Sequence, residues 1–123
     1  MSDSIIKTKS FELVVSGVFF YKHIVSEKKE YVMSKQFLRS ITSVGANVRE
    51  AVNAQSKPDF IHKLAIAQKE CDETMYWLEL LKATDYISQE EVQKIHNQSH
   101  EVLKIIRSII ITTKKNSVNK DNT

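Results

Sequence analysis

Two glycines and one proline among 123 residues leave little material for tight turns. The hairpin pairs Asn-Gly and Asp-Gly do not occur, so a strand-rich domain is excluded in favour of long helices with few breaks. A single cysteine rules out an internal disulfide framework and fits a reducing compartment, which makes the cytoplasm the expected address. Long apolar runs are also missing. The longest, Leu13 to Tyr21, is interrupted by Ser16 and Gly17 and falls well short of the roughly 20 residues that a membrane span requires. The opening MSDSIIKTKSFE lacks a basic start followed by an apolar run, so no export signal is expected. A net charge of +3 is mild, compatible with nucleic acid or an acidic partner but selecting neither. The length suits one domain with one core.

What is present is helical periodicity. Residues 1–8 read as a flexible N-terminal arm, 9–115 as the bundle and 116–123 as a disordered tail that buries too little to order. Helix one is expected from about Ser10 to Glu27. It carries two apolar stripes, one of Phe11, Val14, Val18, Tyr21 and Val25, the other of Leu13, Gly17, Phe20 and Ile24, and both sides read as buried. Helix two is expected from about Met33 to Ala54, with Phe37, Ile41, Val44, Val48, Ala51 and Val52 on one face. In Ser56-Lys57-Pro58-Asp59 the serine can cap, the proline fits the first turn and the aspartate suits the positive helix end. Helix three follows with Phe60, Leu64, Ala67, Cys71, Thr74, Leu78 and Leu81 at heptad spacing. Ser88-Gln89-Glu90-Glu91 is a capping box that opens helix four. Val92, Ile95, Ser99, Leu103, Ile106 and Ile110 then carry a stripe to about Lys114. The fold class is all-α, an antiparallel up-down-up-down four-helix bundle. Ile66, Trp77 and Leu80, with Tyr76 beside them, add apolar surface on the far side of helix three, and that surplus suggests subunit contact.

Opposite the apolar face of helix two lies a polar stripe of Arg39, Ser43, Asn47 and Glu50. Solvated faces favour Lys, Glu and Gln, whereas Ser and Asn compete with the helical backbone, so the stripe reads as an interface or ligand contact. Arg39 and Glu50 stand eleven residues apart, about 16 Å along a helix, and cannot meet directly. Glu70 and Glu73 on helix three are the natural acidic partners for Arg39 or Arg49, and a bidentate pair would fix a register between subunits. Tyr76 and Trp77 beside them read as core or interface packing first and as base-stacking residues second.

Other constellations carry less chemistry. His96 and His100 share a helical face near Glu101, and Asp59 and His62 lie three apart, but the ligand count of a metal bundle is not reached. Cys71 falls in the apolar stripe and reads as a buried small residue rather than a nucleophile. No catalytic triad order, phosphate loop or paired-carboxylate cleft is recognisable. No enzyme, cofactor, metal, membrane or small-molecule substrate is therefore expected. Lys104, Arg107, Lys114, Lys115 and Lys120, with Lys7 and Lys9 from the other terminus, gather at one end of an antiparallel bundle. They form the electrostatic candidate for RNA or DNA, or else they complete helix ends.

The run Gln36-Phe37-x-Arg39-Ser40-x-x-Ser43-Val44-Gly45-Ala46-Asn47-Val48-x-Glu50-Ala51 resembles the family named for proteins encoded in intervening sequences of bacterial 23S ribosomal RNA genes. Asp59-Phe60-Ile61 and Glu70-x-x-Glu73-Thr74-x-Tyr76-Trp77-Leu78 carry the resemblance further. A related branch resembles accessory proteins of diversity-generating retroelements, which assist a reverse transcriptase and bind nucleic acid. The resemblance implies a homopentameric ring of bundles with a nucleic-acid-binding role. A scaffold or adaptor ring that touches only protein is the alternative.

Overall fold

The computed structural model of the protein describes residues 2–121, with side chains over residues 5–117, and only helices occur among them. Helix α1 spans Ser2–His23 and ends in a π-helical turn, Ile24–Lys28. Helices α2 (Met33–Val52), α3 (Lys57–Ala83) and α4 (Gln89–Asp121) follow. Each helix packs on its neighbours in the chain, and α1 closes the bundle against α4. Lys9 meets Glu101 while His23 meets Glu91, so α1 and α4 run in opposite directions. The expected up-down-up-down bundle is the fold.

One core runs through the bundle. Phe37, Ile41, Val44, Val48 and Ala51 of α2 are buried, as are Leu64, Ala67, Cys71, Thr74, Leu78 and Leu81 of α3. From α4, Val92, Ile95, Ser99, Leu103, Ile106 and Ile110 join them, with Val102 beside. The three- and four-residue spacing of these stripes places every member on the inward face, which is why the periodicity reads through to burial.

Helix α1 departs from expectation in two ways. It begins at Ser2, so residues 2–8 are helix rather than an arm, and Met1 lies outside the described residues. The reason is Ile6, which is fully buried and extends the stripe of Ser10, Leu13, Gly17 and Ile24 by another turn. Of the two stripes, that one carries the fully buried residues. In the other, Val14, Val18, Tyr21 and Val25 are half-buried and Phe11 is exposed, because α1 has only two neighbours and its outer side has none. At the far end, residues 116–121 continue α4 where a disordered tail is expected, and no glycine or proline stands after Lys114 to stop the helix. Residues 122 and 123 lie outside the described residues.

Helix ends account for most connecting chemistry. Ser56 Oγ accepts from the Asp59 backbone N–H at 3.2 Å. At α4, Ser88 Oγ accepts from Glu91 N at 3.1 Å while Glu91 Oε1 accepts from Ser88 N at 3.1 Å, so the capping box forms as read. The start of α2 uses a cap that its sequence does not advertise. Glu30 accepts backbone N–H groups of Val32 and Met33 at 3.0 Å and of Ser34 at 2.7 Å, satisfying donors that the first helical turn leaves free. Burial of Glu30 pushes its carboxyl up, but these three N–H groups outweigh that and hold it below the ordinary range.

The α1–α2 contact depends on both glycines. A Cβ on Gly17 would lie 2.5 Å from Ile41 Cδ1, and one on Gly45 would lie 2.8 Å from Val14 Cγ2. The two helices come close at these two levels because each glycine leaves space that Ile41 or Val14 of the other helix fills.

Candidate functional site

The polar stripe of α2 lies along the edge shared with α3, and most of its partners belong to the same chain. Arg39 Nη1 stands 3.4 Å from Glu70 Oε2, and Nη2 contacts Glu73 Oε2. The guanidinium therefore bridges two carboxylates one helical turn apart. Burial raises the Glu70 carboxyl, Arg39 opposes that, and Glu73 adds to the rise, leaving Glu70 above the usual range. Asn47 Nδ2 donates to the Ser43 carbonyl at 2.9 Å and reaches Ser43 Oγ at 3.1 Å, so these two satisfy each other within α2. Glu50 Oε1 lies 3.7 Å from Lys63 Nζ. The expected Arg39–glutamate pairing forms, but it fixes α2 to α3 inside one chain.

Tyr76 and Trp77 divide their roles. Their rings meet edge-on at 5.0 Å. The Trp77 ring is half-buried, and its Nε1 is buried without a hydrogen-bond partner. The Tyr76 ring is 55% exposed on the outside of α3.

The basic end is only partly free. Lys9 Nζ sits 3.0 Å from Glu101, and the hydrogen bond to that carboxylate raises the lysine pKa. Lys7, Lys104, Arg107, Lys114 and Lys115 are exposed, and none forms an ion pair among the described residues. The Lys120 side chain lies outside the described residues.

The remaining titratable groups serve packing. Cys71 Sγ donates to the Ser99 carbonyl at 3.2 Å, and burial pushes its thiol up to about 12. His96 pairs with Glu79 at 3.5 Å across α3 and α4, and His100 is exposed. Among the described residues no group of three or more His, Cys, Asp or Glu is placed to hold a metal. No helix among them is long and apolar enough to cross a membrane.

A surface that the sequence reading did not single out is a groove of about 220 Å³ between α1 and α2. It is lined by half-buried Val14 and Gly45, by exposed Phe11 and Ala46, and by the exposed cations Lys7 and Arg49. The apolar surface continues along α1, where Phe11, Val15 and Phe19 are 57%, 39% and 66% exposed. Their four-residue spacing is the signal that could have shown it: α1 holds more apolar residues than one inward face can use.

Four antiparallel helices around one apolar core, with an ion-paired α2–α3 edge, define a four-helix-bundle protein. Its sequence matches the pattern of one family over residues 2–108, the family described as 23S rRNA-intervening sequence protein. The chain belongs to that family. A similar solved structure is the crystal structure of a protein with unknown function from the S23 ribosomal protein family of Bacteroides thetaiotaomicron VPI-5482. The two are 56% identical, the match covers 89% of this chain and 98% of that one, and the TM-score is 0.87. No protein with a curated description matches.

Proposed function

We propose that this chain is a non-enzymatic, self-associating bundle, pentameric as the family resemblance implies, that binds RNA or DNA along the outer face of α4. The observation that carries the nucleic-acid reading is the run of exposed cations Lys104, Arg107, Lys114 and Lys115, none neutralised by an acid among the described residues. Repeating that run around a symmetry axis raises avidity although each contact with phosphate is weak. Self-association is supported by the exposed Phe11, Val15 and Phe19 stripe, since an apolar surface of that extent on a small bundle marks an interaction site. Absence of catalysis is supported by Cys71, whose thiol is buried and pushed up to about 12, and by Arg39, which occupies the adjacent carboxylates Glu70 and Glu73. A cytoplasmic address accords with the lone reduced thiol.

The test is retention on immobilised polynucleotide across a salt series. Phosphate contacts release counterions, so retention at about 50 mM salt should be lost by about 200 mM. Replacing Lys104, Arg107, Lys114 and Lys115 together by glutamine should abolish it with helicity intact. Equal retention of that variant, or none by the native chain at low salt, would refute the reading. The protein-only scaffold has one observation in its favour: Glu101 already engages Lys9, which thins the basic end.

A further inference from the structure

The groove between α1 and α2 is lined by apolar residues and by two exposed cations, Lys7 and Arg49. Lys7 and Arg49 form no ion pair among the described residues, and no side chain of the same chain fills the space between them. At about 30 Å³ per water, 220 Å³ would hold about seven waters, which is room for one aromatic ring. Thr42 and Ser10 also line it. Ser10 is buried and spends its hydroxyl on the Lys7 carbonyl at 3.2 Å, while the exposed Thr42 donates to the Leu38 carbonyl at 2.8 Å and keeps a lone pair for an incoming O–H. The site suits an aromatic ring flanked by negative charge.

The outer face of α3 offers that combination. Tyr76 is 55% exposed, with Asp72 one turn before it and Glu79 one turn after it, and both acids are exposed. Asp72 has no ion-pair partner among the described residues, while Glu79 is held by His96 alone. Lys69 lies on the same face a turn earlier. An outward residue of a rigid helix cannot enter a groove that its own chain forms from two other helices. A second copy can supply it.

We propose that the chain assembles head to tail, with Tyr76 of one copy seated in the α1–α2 groove of the next and Asp72 and Glu79 meeting Arg49 and Lys7. This rests on the self-association proposed above and names the two surfaces that join. Because the surfaces differ, the contact is heterologous, and such a contact closes into a ring when its rotation permits. Amphipathic aromatics paired with arginine are the residues that most often dominate such contacts.

Light scattering behind a sizing column, run over a concentration series, tests the pairing. Tyr76→Ala should raise the concentration for half-assembly by about tenfold or more, whereas Tyr76→Phe should keep most of the assembly. Arg49→Glu and Asp72→Arg should each weaken it, and the two together in one chain should restore it, because the charges then pair in reverse. All these positions are exposed, and far-UV circular dichroism confirms that each variant folds. A native multimer indifferent to Tyr76→Ala and to both charge changes would overturn the pairing while leaving self-association standing. A native monomer at every concentration would overturn both.

Discussion

Ser40 and Thr74 join their hydroxyls at 2.9 Å in the buried seam between α2 and α3. Ser40 Oγ donates to the Phe37 carbonyl at 2.9 Å, so it accepts from Thr74. Thr74 can turn instead to the Glu70 carbonyl, also at 2.9 Å. Both residues are fully buried, and each polar atom has a partner. Ser40→Ala should cost about 1 kcal/mol, since Thr74 retains the Glu70 carbonyl, and Thr74→Val should cost about the same. The double variant should cost less than the sum, because removing both partners strands neither. Urea unfolding of the four proteins measures the difference, and strict additivity would show that the hydroxyls do not interact.

That seam shows what periodicity can and cannot disclose. Thr74 falls in the helix-three stripe by spacing alone, and its burial follows. Ser40 sits between Arg39 and Ile41, and only the three-dimensional approach of α3 at its level reveals why a hydroxyl is accommodated there. Arg39 with Glu70 and Glu73 was legible because one long cation and two acids a turn apart fit few other roles. Whether that pair acts within a chain or between chains was not, since sequence separation says nothing about which copy supplies a partner. Glu30 escaped notice because a glutamate ahead of a helix is not a usual cap. The length of α1 escaped because Ile6 stands in a polar stretch where one buried residue decides the matter.

The Arg39 clamp leads to a pH-dependent prediction. Glu70 is raised in the folded state, which makes its ionised form unfavourable there and lets stability recover as pH falls through its folded pKa. Arg39 opposes that rise, so its removal leaves Glu70 and Glu73 facing each other. Arg39→Ala should therefore destabilise more at pH 7 than at pH 4. At pH 7 the loss should be at most about 1 kcal/mol, because the arginine side chain is 52% exposed and exposed pairs contribute little. Chemical denaturation at the two pH values checks the sign. A larger loss at pH 4 would contradict it.

Glu91 behaves in the opposite sense. The Ser88 backbone N–H first, and then His23, lower its carboxyl to about 2. It accepts Ser88 N–H at the start of α4 while Oε2 meets His23 at 3.2 Å and Lys28 at 3.5 Å. A depressed carboxylate contributes stability above its unfolded pKa, and the contribution fades as pH falls from about 4.5 to about 2. Glu91→Gln keeps the capping hydrogen bond through its amide oxygen but loses the charge that faces His23 and Lys28, so it should cost at most about 1 kcal/mol at pH 6 and almost nothing near pH 2. Melting temperatures of the two proteins should converge on acidification, and parallel curves would remove Glu91 from the acid response.

Gly17 sets the spacing of α1 and α2, and its replacement separates two opposing effects. Alanine inside a helix gains about 1 kcal/mol over glycine. Against that, the new Cβ would stand 2.5 Å from Ile41 Cδ1, 3.0 Å from Cγ2 and 3.2 Å from Cγ1. Because three atoms of a fully buried isoleucine crowd it, rotation of one group cannot relieve the clash. Overpacking of this kind costs about 1–3 kcal/mol, so Gly17→Ala should be net destabilising. Ile41→Val removes Cδ1, the nearest atom, and should recover part of the loss in the Gly17→Ala background while destabilising the native protein by about 1 kcal/mol. Gly45→Ala makes its one tight contact, 2.8 Å, with a single methyl of half-buried Val14, where Gly17 meets three atoms of buried Ile41. It should cost less than Gly17→Ala, and a double-mutant cycle on Gly17 and Ile41 beside the single Gly45→Ala change would read the difference directly.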